Sequence, residues 1–293
     1  MVIAELGNVK VGDGRPVAIM GAINLGEDSF YGGSIVREPD DAVRRAREMV
    51  HEGAEIIDIG GMSTGPRSAP ISRAEEMRKL IPVIKASSRE IDVPISADTQ
   101  RADVAEAAVE AGASIINDVS GLKADARMAN VISAAGCSAI IMAAKKYPGD
   151  VYEIVEIKRA LNSSLKICRE HDIPLKKIAV DPAAGHWPAR LAKLGPRARS
   201  QFKGRNYSFA TYIDLRILAR LREFKVSRPI CLSMSRKSFI GDVLKLPNPE
   251  DRLSGSLATA AIAVLNGAHV IRTHDPLETL QAVRIAEGVR DSG

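Results

Sequence analysis

Cysteine is scarce in this 293-residue sequence, and its three copies, Cys137, Cys168 and Cys231, lie far apart. An odd number of isolated cysteines argues against a disulfide framework, and their spacing does not match a metal-ligand motif. The pattern therefore indicates a reducing compartment, and we expect a cytoplasmic protein.

Long apolar stretches and aromatic residues are also few. Runs of about 18 apolar residues, which a transmembrane helix requires, are missing, so no membrane association is expected. The opening MVIAELGNVKVGDGRP has no long apolar run of the kind found in a secretory signal. Aromatic residues make up only 4% of the chain, and the net charge of +5 is spread along it. A nucleic-acid binder typically shows a dense basic stripe with interleaved aromatics, so no nucleic-acid partner is expected.

Several catalytic signatures are missing from the sequence. It contains neither GxSxG nor HExxH, and no glycine-rich GxGxxG loop follows the first predicted strand. The five histidines have no ligand-cluster spacing, and only His274 is predicted to lie at the carboxyl end of a strand. These absences argue against a serine hydrolase, a zinc protease and a dinucleotide-binding fold.

Short apolar runs alternate with longer helix-patterned segments through the whole chain, a pattern typical of βαβ units with a parallel sheet. Glycines at 53, 112 and 267 each stand between a helical segment and a strand, where a left-handed residue closes a helix. Eight such units fit an α/β protein with a single-domain (β/α)₈ TIM barrel, and the missing glycine-rich loop argues against a doubly wound open sheet. We expect one domain over residues 1–293, with 1–16 as a lead-in and 183–206 as an atypical basic loop after strand six. The predicted strands are Val17–Ile23, Glu55–Ile59, Val93–Ala97, Ser114–Ile116, Ser138–Met142, Lys177–Val180, Arg228–Leu232 and His269–Ile271.

Polar residues follow nearly every predicted strand. A single Asp or Asn in such a place usually caps a helix or forms a turn, and Asp118 and Asp275 are interpreted in that way. As a set, however, the residues after parallel strands converge on one mouth of a barrel, where active sites lie. The converging residues are Asn24, Ser63, Thr64, Asp98, Asn117, Asp181, Ser235, Arg236, Lys237, Arg272 and His274.

The chemistry of this set suits a flat heterocycle joined to an anion. Asp98, Asn117 and Asp181 can accept from and donate to an amino-pyrimidinone edge. The groups at 235–237 and 272–274 follow strands seven and eight, where TIM barrels often bind phosphate. Backbone N–H groups near Ser63 and Thr64 suit an anion as well. Asn24 is a candidate Mg²⁺ ligand, with diphosphate oxygens and water supplying most of the coordination.

Five segments resemble signatures of the dihydropteroate synthase family. The resemblance covers most of the chain and is weak over Ala143–Ile230. SRKS followed by RTHD in the next unit, together with IINDVSG, is a specific combination. The matching segments are Ala18–Gly33, Gly53–Pro66, Ile95–Gly121, Ser235–Gly241 and Ile271–Ala282.

The resemblance implies a transferase of folate biosynthesis. Such an enzyme joins 6-hydroxymethyl-7,8-dihydropterin diphosphate to an arylamine and releases diphosphate, and it is commonly a homodimer. By this resemblance Asp98, Asn117, Asp181 and Lys237 hold the pterin, and Thr64 and Ser235 border the arylamine. Asp28 lies in the first loop, where it would stabilise a cationic pterin intermediate. Residues implied for Mg²⁺ and diphosphate are Asn24, Ser63, Thr64, Arg272 and His274.

The sequence departs from the family pattern on the acceptor side. Met62 stands before Ser63-Thr64 where the family has Glu, and the sixth strand is followed by DPAAGHWP in place of DPGxGFGK. The segment 190–205 carries six basic residues. It is either a solvated surface loop or a binding site for an anionic acceptor. The acceptor is therefore left open between p-aminobenzoate and the phosphorylated ribosyl-arylamine that some archaea use.

Two alternative functions remain. A pterin-dependent methyltransferase to a corrinoid protein shares the barrel and the pterin cradle, but it does not need the diphosphate-binding set on strands seven and eight. A non-catalytic pterin-binding protein is suggested by the altered loops. Binding of the pterin diphosphate without turnover would distinguish this last possibility.

Overall fold

The computed structural model describes residues 1–25, 39–61, 71–185 and 206–293. Eight parallel strands form one sheet in the order β8-β7-β6-β5-β4-β3-β10-β9. A parallel bridge between Val180 and Ile230 brings the two ends of the sheet together, so the sheet curls into a nearly closed barrel. The predicted (β/α)₈ barrel is therefore confirmed. The barrel strands are β3 (Ala18–Asn24), β4 (Ile56–Gly60), β5 (Ile95–Asp98), β6 (Ile115–Asp118), β7 (Ser138–Met142), β8 (Ile178–Asp181), β9 (Cys231–Ser233) and β10 (Val270–Thr273).

Helices surround the barrel and cover the outer face of the sheet. Local sequence explains where several begin, since Ser72 and Ser208 accept hydrogen bonds from Glu75 N and Thr211 N as N-caps. The glycines predicted to follow helices, at 53, 112 and 267, all have positive φ. In the described ranges, no helix is both long and apolar enough to cross a membrane. The helices are α1 (Pro39–His51), α2 (Arg73–Ser87), α3 (Ala102–Glu110), α4 (Met128–Ala135), α5 (Ile154–Glu170), α6 (Phe209–Ala219), α7 (Ser238–Leu244), α8 (Leu253–Leu265) and α9 (Pro276–Asp291).

The interior of the barrel is apolar at the amino ends of the strands and polar at their carboxyl ends. Side chains alternate between the two faces of a strand, so every second residue points inward. On β4, Ile56 belongs to the inner apolar cluster, and Asp58 lies two residues closer to the carboxyl end. On β6, Ile115 and Asn117 repeat the arrangement. The strands thus form an apolar floor below a polar mouth.

A hairpin that the sequence analysis treated as a lead-in closes the floor. Strands β1 (Ile3–Leu6) and β2 (Val9–Gly12) pair antiparallel around a two-residue turn. Leu6 and Val11 are fully buried and join the inner apolar cluster that includes Met20. The inward-facing side chains of the hairpin are therefore part of the barrel core.

One half-buried carboxylate connects the segment after the hairpin to the start of the last strand. Asp13 accepts hydrogen bonds from Val2 N at 2.7 Å and from Lys225 Nζ. His269 Nε2 lies 3.2 Å from the same carboxylate, and His269 Nδ1 accepts from Ile230 N at 3.0 Å. Because Nδ1 is an acceptor, Nε2 carries the ring proton and donates to Asp13.

Candidate active site

The structure places the residues predicted for the pterin, and Arg272 predicted for the diphosphate, at the carboxyl ends of barrel strands or just after them. Asp98 ends β5, Asn117 lies on β6, Asp181 ends β8 and Arg272 lies on β10. Lys237 follows β9 and stands at the N-cap of α7. Burial raises the pKa of the Cys231 thiol; the charge of Asp181 adds to the rise, and the charges of Arg272 and Lys237 oppose it, so all three lie near this inward-facing residue of β9.

A network of three buried charged groups and one amide links four of the strands. Arg272 Nε donates to Asp58 Oδ2 at 2.5 Å, and Arg272 Nη2 donates to Asp98 Oδ2 at 3.3 Å. Asn117 Nδ2 donates to the same Asp58 carboxylate at 3.3 and 3.5 Å. One guanidinium thus bridges two carboxylates, an arrangement that a buried charge requires to be tolerated.

The ionisation of this network differs from that of the same groups in water. Burial raises the pKa of Asp98 to about 8; the negative charge of Asp58 adds to the rise, and Arg272 opposes it. Burial disfavours the charge on Arg272, but Asp58 and Asp98 outweigh it and raise the pKa of the guanidinium. The raised pKa favours the protonated form of Asp98 in the absence of a ligand, and a ligand that supplies further hydrogen-bond donors would favour the ionised form.

Asp58 is a site residue that the sequence analysis missed. It is completely buried in the middle of β4, whose sequence is IIDIG. A prediction based on the residues that follow each strand does not include a polar residue inside a strand. The available signal was a lone carboxylate in an otherwise apolar strand, since a buried charge needs a partner.

The loop after β8 forms a platform for Lys237. Lys237 Nζ donates to Ala184 O at 2.6 Å. Gly185 has a φ of +79°, and a Cβ there would lie 2.0 Å from Lys237 Cδ. Asp181 Oδ1 accepts from Ala183 N at 2.7 Å, which shapes the start of the loop. A residue with a side chain at 185 would displace the lysine, so glycine is required at this point.

A second chain of hydrogen bonds runs from β3 to the residues after β9 and β10. Asn24 Nδ2 lies 3.2 Å from His274 Nε2, and His274 Nδ1 lies 3.1 Å from Ser235 Oγ. An amide nitrogen only donates, so Nε2 accepts and Nδ1 holds the ring proton. Burial, followed by the charge of Arg272, lowers the pKa of His274 to about 3. His274 is therefore neutral at physiological pH.

The guanidinium of Arg236 is hydrogen-bonded to other residues of this chain and does not face an open site. Its guanidinium donates to both Asp275 oxygens, at 2.9 and 2.7 Å, and to the carbonyls of Pro249 and Glu250 at 3.2 and 2.8 Å. The guanidinium is thus occupied by the protein, which argues against the predicted substrate contact. The pairing of Arg236 with Asp275 joins the segments that carry Ser235 and His274, so it favours a positioning role. Asp275 does stand at the N-cap position of α9, although its carboxylate serves Arg236 rather than the helix.

Asp118, interpreted from sequence as a cap, instead shapes its own loop. Its carboxylate accepts from Ser120 N at 2.7 Å and Leu122 N at 2.8 Å. The bonds stabilise a tight turn in which Leu122 has a φ of +65°. The carboxylate is therefore structural.

Some predicted residues lie outside the described ranges. They include Asp28, Ser63 and Thr64, and the basic residues of 190–205. Buried Glu76 of α2 accepts from Thr99 Oγ1 at 2.7 Å and from Arg101 Nη1 at 2.6 Å. Arg101 Nη2 also donates to Ile71 O, which holds the residues just before the start of α2.

The described residues contain no group of three His, Cys, Asp or Glu side chains placed to hold a metal ion. Asn24 is the oxygen-bearing side chain predicted as a Mg²⁺ ligand, and it lies beside His274 at the mouth. An amide oxygen is a hard donor of the kind that Mg²⁺ accepts, but one such ligand requires substrate oxygens and water to complete the octahedron.

Comparison with known proteins assigns the barrel and its polar mouth to a class. The family described as pterin binding enzyme matches residues 20–195 and 209–274. The protein is therefore a pterin-binding enzyme by family.

Individual relatives narrow the class. The chain is 36% identical to the dihydropteroate synthase of Bacillus subtilis (strain 168) over 277 residues, which cover 94% of this chain and 89% of the relative. It is 35% identical to the Escherichia coli (strain K12) dihydropteroate synthase over 277 residues, covering 92% and 90%. The chain belongs to the dihydropteroate synthase family, and the predicted transferase is confirmed.

Solved structures agree with this assignment. A Coxiella burnetii dihydropteroate synthase in complex with pteroic acid has a TM-score of 0.82 and 32% identity, covering 100% of both chains. The Xanthomonas albilineans dihydropteroate synthase with 4-aminobenzoic acid has a TM-score of 0.80 and 27% identity, covering 98% of both chains.

Proposed function

We propose that this chain couples 6-hydroxymethyl-7,8-dihydropterin diphosphate to an arylamine and releases diphosphate. The proposal is carried by the meeting of two carboxylates, an amide and two cations at one barrel mouth in a member of this family. In the reaction the arylamine nitrogen forms a bond to the pterin methylene carbon. The bond from that carbon to the diphosphate oxygen breaks, and the amine loses a proton.

We assign Asp98, Asn117, Asp181 and Lys237 to the pterin. Ionised carboxylates accept from the exocyclic amine and ring N–H groups, and the Asn117 amide donates and accepts along the same edge. Lys237 donates to a ring acceptor. Arg272, buried between two carboxylates, supplies positive charge beside the pterin. Together these groups bind a flat polar ring whose donors and acceptors alternate.

The diphosphate is assigned to the mouth near β3 and β10. Neutral His274, hydrogen-bonded to Asn24 and to Ser235, shares this region with Arg272. A departing diphosphate gathers negative charge, and preplaced donors lower the barrier to its departure. Mg²⁺ held by the Asn24 amide oxygen and substrate oxygens would stabilise the same charge. Asp28, Ser63 and Thr64 remain candidates for the catalytic loops.

The acceptor is assigned as p-aminobenzoate, with the phosphorylated ribosyl-arylamine as the competing substrate. The Xanthomonas relative with 4-aminobenzoic acid supports the former. The basic residues of 190–205 support the latter, because guanidinium groups bind phosphate in a bidentate fashion.

The pure full-length protein would be incubated with the pterin diphosphate and each arylamine, with and without Mg²⁺. Mass spectrometry identifies any coupled product, and a phosphate assay run after the quenched reaction has been treated with inorganic pyrophosphatase measures the released diphosphate. We expect product that depends on Mg²⁺. Binding of the pterin diphosphate with no product from any arylamine would overturn the proposal and favour a non-catalytic pterin-binding protein.

We further propose a single-domain cytoplasmic homodimer. Three buried free cysteines are consistent with a reducing compartment. The outer faces of α8 and α9 expose apolar side chains that a partner subunit would cover. These are Ile262, Leu265, Leu277, Ile285 and Val289.

A further inference from the structure

Asp58 occupies a place in the barrel where a charge is difficult to keep. Its side chain has no exposure to solvent, and its neighbours on β4 are the buried Ile57 and Ile59. Removing a carboxylate from water costs several kcal/mol unless the surroundings replace the lost interactions. The contacts of Asp58 must therefore replace the interactions with water that its carboxylate has lost.

The contacts of Asp58 are with groups that the proposed function uses. Arg272 Nε donates to it at 2.5 Å, and the Asn117 amide donates to it at 3.3 and 3.5 Å. These partners come from β10 and β6, on opposite sides of β4 and β5 in the sheet order. A single carboxylate therefore orients two side chains that approach it from different directions.

The same contacts decide how strongly Arg272 engages Asp98. Nε points at Asp58, which leaves Nη2 to reach Asp98 at the longer distance of 3.3 Å. The groups that act on Asp98 are Asp58 from β4, Arg272 from β10, Glu76 from α2 and Asp118 from β6. Apart from Arg272 these are all acidic, so the division of the guanidinium between Asp58 and Asp98 controls the balance at Asp98.

We propose that Asp58 is a positioning residue of the pterin cradle: it holds Arg272 through Nε and aligns the Asn117 amide, which keeps Asp98 available to the pterin. This inference rests on the proposed function. A closer pairing of Arg272 with Asp98 would occupy the carboxylate that the pterin needs. Asp58 thus acts on the substrate through two other side chains and does not touch it.

Asp58→Asn in the full-length protein tests the proposal, with Ser96→Ala as the matched control. Ser96 is the strand neighbour of Asp58 on β5, is equally buried, and its hydroxyl has no hydrogen-bond partner among the described residues. Removing it should be nearly neutral, because no satisfied bond is lost. In Asp58→Asn, Arg272 is expected to turn toward Asp98.

Three readouts distinguish positioning from a purely structural role. The KM for the pterin diphosphate should rise about 10- to 100-fold in Asp58→Asn, since small displacements of binding groups have effects of that size. Carboxyl-carbon NMR of the ligand-free protein should show Asp98 titrating at a lower pH than in wild type. The pH profile of pterin binding should move in the same direction, and Ser96→Ala should match wild type in all three measurements.

An Asp58→Asn protein that folds, as judged by circular dichroism, and keeps the wild-type KM and Asp98 titration would overturn the inference. If that variant does not fold, Arg272→Lys provides the second test, because an ammonium keeps the charge but lacks the fork that Asp58 orients. Unchanged pterin affinity in Arg272→Lys would overturn the inference as well. If the wild-type protein binds no pterin, the proposed function is refuted. The titration of Asp98 in the ligand-free protein still tests the positioning role of Asp58, so the two failures can be told apart.

Discussion

Asp98 combines a buried position with a task that requires it to be ionised. Burial and the negative charge of Asp58 raise its pKa, which favours the protonated form in the ligand-free protein. If Asp98 accepts hydrogen bonds from the pterin, the ionised form is the one that binds, and its pKa in the complex must fall.

Pterin binding should therefore release a proton below pH 8. The affinity should rise with pH, by at most about tenfold per unit, and level off above pH 8. Calorimetry at pH 7 in two buffers of different ionisation enthalpy measures the released proton directly. Asp98→Asn cannot titrate and serves as the control. Identical binding enthalpies in the two buffers would contradict the assignment of Asp98 to the pterin.

Asp181 is the second acidic group assigned to the pterin. Asp181→Asn replaces an acceptor of two donors with an amide that presents one acceptor and one donor, so one pterin N–H meets another N–H group. Hydrogen bonds to charged groups contribute about 1.5–3 kcal/mol, and the affinity should fall roughly 10- to 150-fold. Asp92→Asn, an exposed aspartate at the opposite end of the barrel, is the control. Unchanged affinity of Asp181→Asn in calorimetry would remove Asp181 from the cradle.

At this scale the sequence predicted residue types better than residue roles. Asp98, Asn117 and Asp181 were identifiable because they end strands, and all barrel strands end at the same mouth. Asp58 was not, because its importance depends on Arg272, which lies 214 positions away. Arg236 is the reverse case, a residue predicted to contact the substrate because it stands next to Lys237. Its guanidinium is instead hydrogen-bonded to Asp275. Partners distant in sequence decide both cases.

At the scale of elements, the amino-terminal hairpin shows what sequence patterns leave undecided. Gly7-Asn8 between two short alternating segments is a two-residue turn signal. Strands of four residues nevertheless bury too little surface to be stable alone, so only the barrel floor determines that the hairpin forms. The barrel strands, rich in Ile and Val and flanked by helices, were predictable because their local pattern and their final surroundings agree.

The attachment of this hairpin depends on Asp13. Hydrogen bonds from Val2, Lys225 and His269 overcome the effect of burial and lower the pKa of Asp13. A lowered pKa stabilises the folded state above the ordinary carboxyl pKa of about 4, and this contribution is lost as the pH falls below that value. Asp13→Asn should reduce the free energy of unfolding by about 1–3 kcal/mol at pH 7.

Urea unfolding of Asp13→Asn measures this loss, with Asp92→Asn as the control at the same end of the barrel. The difference from wild type should shrink below pH 4. Because Asp13 lies at the closed end, the pterin affinity of the folded variant should be unchanged. Equal stability at pH 7 would show that the hairpin is held by apolar packing alone.

At the scale of the whole molecule, the net positive charge suits an anionic substrate, and the exposed apolar side chains suit a second copy of the chain. The net charge of +5 favours the approach of an anionic pterin diphosphate, an effect that salt should weaken. The apolar side chains on α8 and α9 lie on the outer surface of the barrel, away from the polar mouth. The two helices pack against each other, so the exposed apolar side chains of both lie on the same side of the barrel. Such a face can associate with a second copy of the chain without covering the mouth.

Ile285→Lys should separate such a dimer into monomers. Ile285 has 73% of its surface exposed, and Val289, one turn further along α9, has 61%. A lysine at 285 would place two like charges at a two-fold interface, where each subunit contributes the same surface. Val155→Lys, at a residue of 56% exposure on α5, is the matched control because it adds the same charge outside this face. Light scattering after size exclusion should give twice the chain mass of 31.4 kDa for wild type and for Val155→Lys, and a single chain mass for Ile285→Lys. A monomeric wild type, or a dimer that survives Ile285→Lys, would show that α8 and α9 are not the interface.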